Sequence, residues 1–136
     1  MKHFYNIYNA SAGSGKTFNL VKEYLKILLT DNQIDSYKNI LSITFTNKAV
    51  NEMKSRIIGS LNQLTKIDTE EKNNPLLDSI KKETNLTNEE IQIKSISILK
   101  SILINYASFD VSTIDKFTQK VIRNFAYEIK LPVNYE

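Results

Sequence analysis

The chain contains no cysteine, which removes disulfides, thiolate metal sites and cysteine nucleophiles together. His3 is the sole histidine, so a Ser-His-Asp triad is disfavoured and a histidine-based zinc site is all but excluded. Arginine is scarce: of 18 basic residues, all but Arg56 and Arg123 are lysine. That scarcity bears on any phosphoryl-transfer chemistry, which often employs an arginine finger. No apolar run approaches the roughly 20 residues that a membrane span needs. No signal-peptide pattern is visible, so no membrane association and a cytoplasmic location are expected. An Asp-Glu dipeptide occurs nowhere. What remains is 136 residues, 41% of them hydrophobic, which suffices for one domain or part of a larger one. The formal net charge of +3 is a weak pointer to anionic partners.

The most informative stretch is Ala10, Ser11, Ala12, Gly13, Ser14, Gly15, Lys16 and Thr17. It fits the phosphate-binding loop, with Ala in place of the first Gly, then four residues, then Gly-Lys-Thr. A polyphosphate needs several backbone N–H groups aimed at one spot, and only small residues let the backbone come that close. Lys16 is placed to reach the β and γ phosphates, and the Thr17 hydroxyl is placed to ligate Mg²⁺. The following helix adds its positive N-terminal end. The context agrees. Residues 4–9 are aromatic and β-branched and predict a buried strand, whereas Leu20, Val21, Tyr24, Leu25, Leu28 and Leu29 recur at helical spacing. A chance Gly/Ser-rich turn would not carry both flanks.

Further along, residues 39–45 predict a second buried strand and residues 48–66 a helix with one broad apolar face. Residues 67–74 form a polar loop, and Pro75 opens a short helix over 75–83. Thr87 and Glu90 have capping-box spacing and open a helix to about Ala107. Its apolar residues nearly encircle it, which predicts deep packing. Residues 109–113 predict a third strand, and 114–129 a helix with Phe117, Val121, Ile122, Phe125 and Ile129 as its stripe. Strands alternating with helices imply an α/β fold with a parallel sheet.

Ligands of such sheets bind beyond the carboxyl ends of the strands. Thr44, Phe45, Thr46, Asn47 and Lys48 follow one strand, and Ser112, Thr113, Ile114 and Asp115 follow the next. The first group carries the donors that a phosphodiester backbone needs, and Phe45 offers a stacking face for an unpaired base. The same residues also suit an ordinary strand end with a capping Thr and a solvated Lys. Physics alone does not separate the two.

Three segments in order, residues 10–17, 43–53 and 111–117, resemble the first motifs of superfamily 1 DNA helicases of the UvrD/Rep group, and within it the RecB/AddA helicase–nucleases. The resemblance implies a P-loop NTPase (RecA-like) fold, a parallel sheet flanked by helices, with ATP and Mg²⁺ as cofactors. On that basis residues 10–17 would bind ATP, with Lys16 and Thr17 on its phosphates and Thr17 on the metal. Thr44, Phe45, Thr46, Asn47, Lys48, Thr113 and Phe117 match DNA-contacting positions. Residues 67–107 match only as a helical insertion. The chain departs from the pattern at Asp115, where relatives commonly carry His. An Asp there would repel phosphate, which suggests a helix cap or hydrogen-bond acceptor. The glutamine motif that reads adenine in many relatives is missing from residues 1–9.

Hydrolysis in this group needs an Asp-Glu pair for Mg²⁺ and the attacking water. Without that pair and without a second RecA-like domain, residues 1–136 are expected to be the N-terminal part of a longer protein, an incomplete first RecA-like domain with no hydrolysis of its own. The whole is expected to be an ATP-dependent helicase acting on single-stranded DNA or a duplex end in break repair, with a nuclease and a helicase–nuclease partner subunit left open. A nucleotide- or DNA-binding module without hydrolysis is the alternative for these residues. A non-helicase P-loop kinase leaves residues 44–53 unexplained. The Gln33-x-x-x-Tyr37 spacing of RecB-type nucleases has no carboxylate cluster beside it and reads as chance.

Overall fold

The computed structural model describes residues 5, 7, 8, 15–67, 74–126 and 128. Helix α1 (Lys16–Thr30) buries Val21, Tyr24, Leu25, Leu28 and Leu29 of the expected helical stripe, whereas Leu20 is exposed. Its C-terminal end is held by a distant cation: Lys94 Nζ donates to the carbonyls of Leu29 and Asp31 at 2.6 and 3.1 Å. A 3-10 turn (Ser36–Asn39) leads to strand β1 (Ser42–Thr44). Helix α2 (Asn47–Leu64) then buries Met53, Ile57, Leu61 and Leu64. Helix α3 (Pro75–Thr84) starts on Pro75, with the Asn74 side chain accepting the N–H groups of Leu76 and Leu77 at 3.1 Å each. It stops where Asn85 turns left-handed at φ 57°.

Helix α4 (Asn88–Ile104) carries the capping box that its sequence announced. Thr87 Oγ1 accepts the Glu90 N–H at 3.2 Å, and the Thr87 N–H donates to Glu90 Oε2 at 2.8 Å. A 3-10 turn (Tyr106–Ser108), strand β2 (Val111–Thr113) and helix α5 (Ile114–Phe125) complete the order. The strands pair in parallel, Ser42 with Val111, Ile43 with Ser112 and Thr44 with Thr113. The result is a helix-rich α/β arrangement with a two-stranded parallel sheet, compatible with part of a RecA-like domain.

One apolar cluster unites α1 to α4, with Tyr37, Phe109 and Val111 joining from the segments between them. Residues 74–107 are therefore part of the interior, since Leu76, Leu77, Ile80, Ile91, Ile98 and Ile102 are all core. Each such side chain contributes about 1.5–3 kcal/mol by leaving water. Tyr37 is wholly buried and its hydroxyl donates to the Ser101 carbonyl at 3.1 Å, so Tyr37 serves packing while Gln33 is exposed.

Four expectations need correction. Tyr5, Ile7 and Tyr8, the described members of the first expected strand, are exposed and lie in no regular element. Burial of such a run needs a sheet edge to pair with, and the described ladder joins only β1 and β2. The two strands are also shorter than expected, because their ladder begins only where the Ser42 N–H reaches the Asp110 carbonyl at 3.2 Å. Helix α4 is not packed all round: Ile91, Ser95, Ile98 and Ile102 face the core while Ile93, Ile96, Leu103 and Ile104 are exposed. The other helices cover one side of it, and its isoleucines lie on both sides. Finally, α5 is strongly amphipathic yet buries no residue, and its helix ends at Phe125. Ile129 lies outside the described residues.

Candidate nucleotide and nucleic-acid site

The end of the small-residue loop is described from Gly15 onward, and Ala10 to Ser14 lie outside the described residues. Gly15 caps α1 with φ 81° and ψ 16°, the left-handed conformation that favours glycine. A Cβ there would meet no atom within 4 Å, so the requirement is conformational and not spatial. No side chain caps the helix, and its first turn holds no acid. Among the described residues no side chain accepts from the leading N–H groups of α1, and the helix dipole lies behind them. Lys16 is exposed and takes part in none of the ion pairs among the described residues. Thr17 is half-buried beside it. Gly15, Lys16 and Thr17 at this helix start form a donor set that fits a magnesium-bound polyphosphate.

The second part is the carboxyl edge of the sheet. Beyond β1, Thr44 Oγ1 donates to the Thr46 carbonyl at 3.3 Å, and Thr46 Oγ1 accepts the Ala49 N–H at 3.1 Å as the cap of α2. Phe45 stands between them, 85% exposed. Asn47 and Lys48 are exposed on the first turn of α2. Beyond β2, Thr113 is both the last strand residue and the cap of α5, accepting the Lys116 N–H at 3.3 Å. It is buried, whereas Phe117 is half-buried one turn on. The expected cap at Asp115 is corrected: Thr113 caps, and Asp115 lies exposed in the first turn of α5. A carboxylate there is favourable toward the helix dipole.

The register Thr44 to Thr113 brings these two strand ends side by side. Among the described residues, no hydrogen bond or ion pair joins Lys16 or Thr17 to that edge. Both cap hydroxyls spend one lone pair on the helix and keep their protons for donation.

Sequence reading missed a group just behind β2. Lys54 Nζ lies 4.7 Å from the Tyr106 ring centroid and 5.3 Å from that of Phe109. Burial pushes its ammonium below the ordinary lysine range. Lys120 Nζ is 2.9 Å from Asp110 Oδ2. The available signal was the i, i+4 spacing of Lys116 and Lys120 on one face of α5; nothing in the chain order pointed to Lys54. A cleft of about 380 Å³ also opens between α1, α2 and α3, lined in part by Phe18, Val21, Arg56, Gln63 and Leu76.

Over 123 residues the chain is 37% identical to an ATP-dependent helicase/nuclease subunit of Lactobacillus johnsonii, covering 90% of this chain and 8% of the relative. Over 54 residues it is 54% identical to the RecBCD enzyme subunit RecB of Chlamydia trachomatis, covering 40% of this chain and 5% of the relative. The chain thus spans less than a tenth of the length of these relatives. No solved structure matches it. The family model described as UvrD/REP helicase N-terminal domain matches residues 5–136. With nearly every residue inside that match, the chain belongs to the UvrD/REP helicase N-terminal domain family.

Proposed function

We propose that residues 1–136 are the N-terminal part of a first RecA-like, P-loop NTPase domain, with 67–107 as a helical insertion. The protein they belong to is an ATP-dependent DNA helicase or translocase of the cytoplasm that acts in recombination and double-strand break repair. Its relatives carry the words helicase/nuclease and RecBCD in their names, which supports a single strand or duplex end as substrate. The same names support a nuclease activity and a partner subunit. The observation that carries the reading is the shared edge: β1 and β2 run parallel and end level, presenting Phe45 to Lys48 next to Thr113 and Phe117.

Bound Mg²⁺-ATP supplies the free energy of phosphoanhydride cleavage. The residues of this chain bind and orient. Residues 10–15 would hold phosphate oxygens through backbone N–H groups, Lys16 would neutralise their charge, and the Thr17 hydroxyl would hold the metal. Thr46, Asn47 and Lys48 donate to the DNA backbone beside Thr44, and Phe45 stacks on a base. Thr113 sets the start of α5, so that Phe117 faces the same strand. With no Asp-Glu pair among these residues, binding without hydrolysis is the proposed behaviour of the 136 residues alone.

Calorimetry of Mg²⁺-ATP with this chain tests the reading. Lys16→Ala should abolish measurable binding while leaving the circular dichroism spectrum unchanged. In the intact protein the same change should abolish DNA-stimulated ATPase activity. Retained activity would remove Lys16 from its role and the assignment with it.

A further inference from the structure

Helix α4 carries two apolar stripes on opposite sides. Ile91, Ser95, Ile98 and Ile102 face the core, where α1 and α2 pack against them. Ile93, Ile96, Leu103 and Ile104 face away from it and are 49–75% exposed. A single exposed isoleucine is ordinary, but four large aliphatic side chains on one side of one helix form a patch. A helix that is apolar on both sides is built to lie between two layers. The described residues supply only one of them. The outer stripe is also regular. Ile93, Ile96, Lys100 and Leu103 stand at i, i+3, i+7 and i+10, the spacing at which one helix meets another along a seam.

Lys100 decides what such a seam can accept. It is exposed, and it takes part in none of the ion pairs among the described residues. One charged residue at a seam position costs stability and selects the partner. A second copy of this chain is a poor partner. In parallel register the two Lys100 ammonium groups would meet, and in antiparallel register about the seam's centre each would lie against Ile96. A different helix with a carboxylate at the facing position turns the same lysine into a charge-assisted contact, shielded by the aliphatic side chains around it. We propose that the outer face of α4 is a docking surface for an amphipathic helix of a partner subunit, with an aliphatic seam and one carboxylate opposite Lys100. The proposal rests on the reading of this protein as a subunit of a larger assembly, and it puts the contact on the helical insertion, away from the sheet edge.

The test uses a synthetic three-heptad helical peptide with leucine at its seam positions and one central glutamate, its binding followed by fluorescence anisotropy. The peptide should bind both this chain and the intact protein. Ile96→Asp should abolish binding. Lys100→Glu should weaken it at least about tenfold, and a second peptide with lysine in place of the glutamate should recover the loss. Both positions are exposed, so urea midpoints should match the parent's and misfolding cannot imitate the charge exchange. Equal affinity of the parent and Lys100→Glu for the two peptides overturns the proposal, as does a parent that binds neither. Sedimentation equilibrium of the parent alone should show a monomer; a dimer abolished by Ile96→Asp would give the face to a second copy. A peptide that binds the 136-residue chain but not the intact protein would give the face to another helix of the same polypeptide. Either result overturns the partner. Lys16→Ala should leave peptide binding unchanged, so failure of the nucleotide reading and failure of the docking surface are told apart.

Discussion

Strand β1 hands over to α2 through Phe45 and Thr46, whereas β2 hands over to α5 with no residue between. Both helices are capped by a threonine hydroxyl, at 3.1 Å in one and 3.3 Å in the other. The two-residue passage has a consequence at Phe45. It sits past the last ladder pair and before the first helical turn, so nothing on either side encloses it. The direct passage instead buries Thr113. Behind the caps the contrast grows. Helix α2 sinks four residues into the core and α5 sinks none. The comparison teaches that capping is decided by a few neighbouring residues, whereas burial is decided by what lies across the interface.

The largest expected effect sharpens that contrast. Ile57→Ala on α2 should cost about 2–5 kcal/mol, because Ile57 is wholly buried and its loss leaves a cavity. Val121→Ala on α5 should cost under about 1 kcal/mol, since Val121 is 38% exposed. Urea unfolding of both variants decides it, and comparable losses would break the comparison. Next, Phe45→Ala should weaken single-strand binding by about 1–3 kcal/mol, the value of one base stacked on an aromatic ring. Its urea midpoint should stay unchanged, and a lowered midpoint would make Phe45 a packing residue.

Smaller again are the caps. Thr46→Ala and Thr113→Ala should each cost about 1 kcal/mol, Thr113 the more because its side chain is also buried against the ladder. Equal losses would remove that asymmetry. The smallest effect lies away from the edge. Glu83 on α3 is gripped by Lys22 and Lys26 of α1 at 2.8 and 2.9 Å, and these bonds lower its pKa from 4.5 to about 2. A carboxylate with a lowered folded pKa stabilises fully above pH 4.5, and that contribution disappears as pH falls toward about 2. Glu83→Gln should therefore flatten the acid limb of the stability curve below pH 4.5. A curve identical to the parent's would show the grip to be ornamental.

Much of this was legible in the residues. The capping box at Thr87, the proline opening of α3, and most of the stripes of α1 and α2 follow from short-range chemistry and stand in the structure. The parallel pairing was legible from the alternation of strands with helices. What failed was burial where it depends on a distant surface. The aromatic run at Tyr5 and Tyr8 and the stripe at Phe117 and Val121 both satisfy the pattern for burial, yet the described residues offer them no opposing layer. The contacts of Lys54 and Lys120 around the connection into β2 were illegible for a related reason. Lys54, Tyr106 and Lys120 belong to three elements that only the fold brings together.

The parallel register has a consequence in time. Ser42 and Val111 can meet only after α2, α3 and α4 have been laid down between them, so the chain closes a long loop before the ladder gains its first bond. Local helical contacts form quickly and distant strand contacts slowly. The edge that carries Thr44 and Thr113 should therefore assemble after the helices around it. Its strand amides should acquire hydrogen-exchange protection later in refolding than those of α2.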